Sequence, residues 1–216
     1  MISAYIFDLD GTLLDTEIVW VDATINYLAS KGHNISHAQS MNIVYGRAWF
    51  DVYADIVSRF PDLDMGLPKM QDEMAEYFYA LRDVTDVRIH GSVELLHRLS
   101  KTKPCCIVSG SPRSHITEGI EIMGVEDAVS FYLGSSDYDF GKPHPAGFLA
   151  AAERLGVAPS ECIVFEDSEV GIAAGKAAGM RVVALSRPGH PKQDVAAADI
   201  ILPDLAQFEP ALFGEK

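Results

Sequence analysis

The stretch Ala4-Tyr5-Ile6-Phe7-Asp8-Leu9-Asp10-Gly11-Thr12-Leu13-Leu14-Asp15 decides how the rest of the chain is read. A short apolar run of strand length stops abruptly in two acids, a glycine and a threonine. Comparable runs recur downstream at Cys105–Val108, Phe131–Leu133, Cys162–Phe165, Val182–Leu185 and Ile200–Leu202. Between them, Arg113–Met123 and Phe148–Leu155 carry apolar residues at three- and four-residue spacing, and Pro112 and Pro145 suit helix starts. Strands alternating with helices predict an α/β fold: a doubly wound parallel sheet with a Rossmann-like core.

One segment breaks the alternation. Between Thr16 and Asp86 the patterns are helical throughout, over Ile18–Lys31, His37–Val44, Trp49–Phe60 and Met70–Val84, with Pro61 and Gly66-Leu67-Pro68 as punctuation. The expected division is therefore a Rossmann-like core from residues 1–15 and 87–216, with an all-α insertion over residues 16–86.

In an open parallel sheet, ligands bind beyond the carboxyl ends of the strands. Polar residues collect there: Asp8 and Asp10 after the first run, Ser109-Gly110-Ser111 after the second, Lys142-Pro143 after the third, Glu166-Asp167-Ser168 after the fourth. Four carboxylates facing one lysine repel strongly at partial burial, so a cation is expected among Asp8, Asp10, Glu166 and Asp167. Oxygen ligands without clustered His or Cys favour Mg²⁺ over zinc. Mg²⁺ and Lys142 together can hold a phosphate, with the Ser109 hydroxyl and backbone N–H groups near Gly110 completing the cradle. The helix expected after Pro112 adds its dipole.

Composition bounds the partners. The chain has 216 residues and a net charge of −14, which disfavours nucleic acid and anionic membrane surfaces. Cys105, Cys106 and Cys162 are odd in number and lie in apolar runs, as buried thiols of a reducing compartment do. Met1-Ile2-Ser3-Ala4 lacks a basic leader and no window has the length of a membrane span, so the expectation is a cytoplasmic chain.

On Asp8-Leu9-Asp10-Gly11-Thr12, Ser109, Lys142-Pro143 and Glu166-Asp167-Ser168, in that order and rough spacing, the chain resembles the haloacid dehalogenase-like phosphohydrolases. Within them it is similar to the branch of β-phosphoglucomutase and small sugar phosphatases. The resemblance implies that Asp8 is a nucleophile forming an aspartyl-phosphate, and Asp10 a general acid and then base. It implies Ser109 and Lys142 on the phosphoryl group, and Mg²⁺ on Asp8, the Asp10 main-chain carbonyl, Asp167 and Glu166, the last directly or through water. Thr12 supports the same turn and counts among the substrate-binding residues with Ser109, Gly110 and Lys142. The helical insertion resembles the family's mobile cap, and Glu17 and Arg47 are its candidates for touching substrate.

The expected activity is Mg²⁺-dependent hydrolysis of a small phosphorylated sugar or polyol, for which a monomer suffices. The alternative is an isomerase of the β-phosphoglucomutase kind. Those mutases carry a histidine five residues after the aspartate matching Asp15, where this chain has Trp20. A dehalogenase would lack the acid at Asp10, and a catalytically silent binding module would not need Asp8, Asp10, Lys142 and Asp167 together.

Overall fold

Strands buried on both faces need no polar alternation, and the central strands of this sheet show none: every residue of β1 (Ala4–Phe7), β2 (Cys105–Val108) and β4 (Cys162–Glu166) is buried. The computed structural model describes residues 1–45, 47 and 49–214. With β3 (Phe131–Leu133), β5 (Arg181–Leu185) and β6 (Ile200–Leu202), these strands form one parallel sheet in the order β3-β2-β1-β4-β5-β6. The chain winds outward from β1 in one direction, then returns past it to β4 and continues in the other. The doubly wound expectation is met, and the reversal falls between β1 and β4.

The helices are α1 (Thr16–Ser30), α2 (His37–Val44), α3 (Trp49–Arg59), α4 (Leu67–Arg82), α5 (His90–Ser100), α6 (Arg113–Met123), α7 (Ala146–Leu155) and α8 (Glu169–Ala177). Their ends have local causes. Helix α3 stops at Arg59 rather than Phe60, because a residue before proline is pushed out of helical conformation and Pro61 follows. Helix α4 begins at Leu67, earlier than its apolar spacing suggests, since Pro68 is tolerated in a first turn. Pro112 and Pro145 stand one residue before the first helical residues of α6 and α7. Ser36 caps α2 by accepting the Gln39 N–H at 3.3 Å, while Gln39 Oε1 accepts the Ser36 N–H at 2.8 Å.

Two compact units result: Met1–Leu14 with Arg88–Lys216, and Asp15–Val87. In the sheet unit, α7 and α8 bury Phe148, Ala151, Ile172 and Ala174 against Ala4, Ile6, Val164 and Val182. The alternate residues Tyr5, Phe7 and Phe165 form an aromatic cluster with Phe208, with Phe7 stacked on Phe165 at 4.5 Å between centroids. Cys105, Cys106 and Cys162 are buried free thiols, and burial pushes Cys105 up to about 12. The helical unit packs Val21, Tyr27, Leu28, Ile43, Met70 and Met74 into a core of its own. Among the described residues, no helix is long and apolar enough to cross a membrane.

Candidate active site

The register of β1 on β4, with Phe7 opposite Phe165, brings the next residues of each strand to the same edge. Asp8 is there, its N–H donating to the Phe165 carbonyl at 3.0 Å. Glu166 ends β4 and Asp167 follows it, and one carboxylate oxygen from each of Asp8, Glu166 and Asp167 lies within 4.8 Å of the others. Both Asp8 and Glu166 are buried.

Lys142 reaches into this cluster from the loop after β3, where the Lys142–Pro143 peptide is cis. Its ammonium donates to Asp8 Oδ1 and, at 2.6 Å, to Glu166 Oε1. The other oxygen of Glu166 accepts the N–H groups of Asp167 and Ser168 at 2.8 Å each and the Ser168 hydroxyl at 2.9 Å. Glu166 therefore acts as a hub, fixing both Lys142 and the turn that presents Asp167. The buried hydroxyl of Thr12 donates to Asp167 Oδ1 at 3.0 Å, tying the two acidic turns together.

Two glycines are required by this packing. Gly11 has φ +85°, and a Cβ there would stand 2.2 Å from Asp167 Oδ2. A Cβ on Gly171, in the first turn of α8, would meet Glu166 Oε1 at 1.7 Å. Gly110, by contrast, is exposed beside open space.

Charge follows from this crowding. Burial raises the Asp8 carboxyl well above the ordinary range; Lys142 opposes the rise, and Glu166, Asp167 and Asp10 add to it. Asp167 is pushed up to about 7, by burial and then by Glu166, against the pull of the Thr12 hydroxyl. Burial works against the Lys142 ammonium, yet the carboxylates of Asp8 and Glu166 more than offset it and hold it charged. Three clustered carboxylates, with Asp8 and Asp167 raised by burial and by their acidic neighbours, are the donor chemistry a hard divalent cation fits, because its charge would relieve that crowding.

The Asp10 carboxylate belongs to a different constellation. Its Oδ2 accepts the Ser109 hydroxyl at 3.2 Å and the Ser111 hydroxyl at 2.7 Å, and its Oδ1 pairs with His115 Nε2 at 3.0 Å. Ser109 also accepts the Ser111 N–H at 3.0 Å, and its carbonyl accepts the Tyr138 hydroxyl at 2.8 Å. Sequence reading did not single out Ser111 or His115 as site residues. The available signal was position: His115 is the third residue of α6, a helix that begins just beyond the end of β2.

Arg47 belongs to the helical unit, where Nη1 donates to the carbonyls of Asn42 and Ile43 at 2.9 and 3.1 Å and to Asp55 Oδ2 at 2.8 Å. With Glu17, Trp20, Val44, Trp49 and Val52 it lines a cavity of about 90 Å³. Trp20 is stacked on Phe78 at 4.1 Å and meets the edge of Trp49 at 4.7 Å.

Residues 2–179 match the family model described as haloacid dehalogenase-like hydrolase. The validoxylamine A 7'-phosphate phosphatase of Streptomyces hygroscopicus subsp. limoneus is 32% identical, over 96% of this chain and 96% of that protein. Hexitol phosphatase A of Escherichia coli is 26% identical, over 94% of this chain and 92% of its own. A haloacid dehalogenase family hydrolase of Deinococcus radiodurans, solved with bound phosphate and sodium, superimposes with a TM-score of 0.77 at 30% identity, covering 95% and 92% of the two chains.

Proposed function

Because this chain belongs to the haloacid dehalogenase-like hydrolases, we propose that it hydrolyses a small phosphorylated sugar or polyol through an aspartyl-phosphate on Asp8, with Mg²⁺ as its metal. It is a phosphoric monoester hydrolase, as its named relatives are. The observation that carries the reading is the buried Asp8 carboxylate, paired with Lys142 and clustered with Asp167, with a second held acid at Asp10. The sugar or polyol class is supported by the relatives' substrates rather than by a motif in the helical unit.

Asp8 attacks phosphorus as the bond to the alcohol oxygen breaks, and Asp10 gives its proton to that oxygen. Asp10 then takes a proton from the water that hydrolyses the acyl phosphate. Lys142, kept charged by Asp8 and Glu166, stands beside the phosphoryl oxygens and offsets their charge. Thr12 and Glu166 act on the turns: one orients Asp167, the other holds Lys142. The metal would be held by Asp8, Asp167 and the Asp10 main-chain carbonyl, with Glu166 directly or through water. When bound it supplies Lewis-acid polarisation of the phosphoryl group and lets Asp8 remain ionised. Selection among alcohols is assigned to the helical unit.

The test is phosphate release from a panel of sugar, polyol and nucleotide phosphates, with Mg²⁺ and with chelator. Mg²⁺-dependent release concentrated on hexose or hexitol phosphates is the expected result. Conversion of β-glucose 1-phosphate to glucose 6-phosphate without phosphate release would replace the hydrolase by an isomerase.

A further inference from the structure

Asp10 sits on a turn, where a carboxylate has two free torsions and many orientations. Here both of its oxygens are held, by two different elements. The loop after β2 fixes Oδ2 through Ser109 and Ser111, and α6 fixes Oδ1 through His115 Nε2 at 3.0 Å. Pinning one oxygen would leave the carboxylate free to swing about that contact; pinning both sets its plane. The His115 side chain is 28% exposed, as is that of Asp10, so the contact stands at the rim of the site rather than within the core.

We propose that His115 is a positioning residue for proton transfer to the leaving alcohol: with Ser111 it sets the plane of the Asp10 carboxylate. The inference rests on Asp10 being the general acid. In that step the phosphorus–oxygen bond breaks and the proton moves from Asp10 to the departing oxygen, so a misaligned carboxylate slows departure of the alcohol. An imidazole suits the place because an Nε2–H donated to Oδ1 leaves the carboxyl proton to reside on the other oxygen, from which it can pass to the alcohol.

The step has a signature that a merely structural residue lacks. An alkoxide of high pKa needs the proton as it leaves, whereas p-nitrophenolate departs without it. The value of kcat/KM covers departure of the alcohol and not hydrolysis of the acyl phosphate, so it isolates this event. His115→Phe keeps the ring shape and removes the hydrogen bond. It should lower kcat/KM for sorbitol 6-phosphate roughly tenfold, the scale of one hydrogen bond to a charged group, and at least several-fold more than for p-nitrophenyl phosphate. His115→Gln, which restores a donor and an acceptor, should recover much of the loss, and Ser111→Ala should shift the same ratio in the same direction. His115→Ala repeats the comparison if the phenyl ring disturbs α6. Asp10→Asn is measured alongside. Equal losses on both esters in His115→Phe, with Asp10→Asn still discriminating between them, would overturn the inference alone. Equal losses in Asp10→Asn would remove the acid role itself, and the positioning role with it.

Discussion

At the carboxyl edge of the sheet, charged side chains satisfy one another around the buried Asp8 and Glu166: Lys142 is held by those two, Asp167 by Thr12, and the half-buried Asp10 by Ser109, Ser111 and His115. The helical unit is organised the other way round. Its core is aliphatic and aromatic, and pairs such as Lys31 with Glu73 and Asp55 with both Arg47 and Arg59 are partly exposed. Buried charge is costly to keep and more costly to leave unpaired, whereas an exposed pair contributes little. The sheet edge gathers the buried acids Asp8 and Glu166 around a single lysine, and the proposed chemistry is placed on that cluster.

The sharpest way to break the contrast is Asp8→Asn, which removes the proposed nucleophile. Turnover of every phosphate ester should fall by more than about 10³-fold, and a rate near the parent's would end the assignment of Asp8. Next in size is Lys142→Met, which leaves Asp8 and Glu166 without their cation. Urea unfolding should show a loss of about 3–5 kcal/mol, together with a large fall in kcat; a loss below about 1 kcal/mol would show that the edge tolerates unpaired acid.

Titration sharpens the comparison further. Asp8 and Asp167 are raised in the folded state and ordinary in the unfolded chain. Their contribution to stability without divalent cation is thus full below about pH 4 and is lost as pH rises through about 7, where Asp167 ionises. Mg²⁺ should reverse that loss. At a concentration of about a hundred times Kd it should raise Tm by roughly 5–10 °C at pH 8 and far less at pH 5. A shift independent of pH would mean that these carboxylates are not where the metal binds. The smallest effect belongs to the helical unit. Arg47→Ala should cost about 1 kcal/mol by loosening Asp55 and the last carbonyls of α2. If instead stability holds while KM for sugar phosphates alone climbs steeply, Arg47 is a substrate ligand rather than a clamp.

The sheet was legible because its strands are buried on both faces and so write themselves as unbroken apolar runs, each ending in the polar residues that line the edge. The alternation with helices gave a doubly wound parallel sheet, and the acids followed from strand ends. What stayed hidden depends on side chains meeting across long sequence distances. Thr12 reaches Asp167 across 155 residues, and His115 reaches Asp10 across 105. Neither contact leaves a spacing to detect. Nor does any spacing announce that Glu166 holds Lys142 and its own turn: it stands at the last position of β4, where that turn wraps back on it. Helices α5 and α8 carried no distinctive start to mark them beyond the Ser168 hydroxyl that caps α8.

The two close-packed glycines change what a mutational scan of this protein would report. Gly11 and Gly171 carry no side chain that could react, yet a single methyl on either collides with the carboxylate of Asp167 or Glu166. In a library scored for growth or turnover, both positions should be as intolerant as Asp8, and alanine should be no safer there than tryptophan. Intolerance alone would therefore overcount the reacting groups. The pattern that tells them apart is stability: substitutions at the glycines should lower turnover by distorting the acids' seat and weaken the fold as well, whereas Asp8→Asn should remove turnover from a protein that still folds.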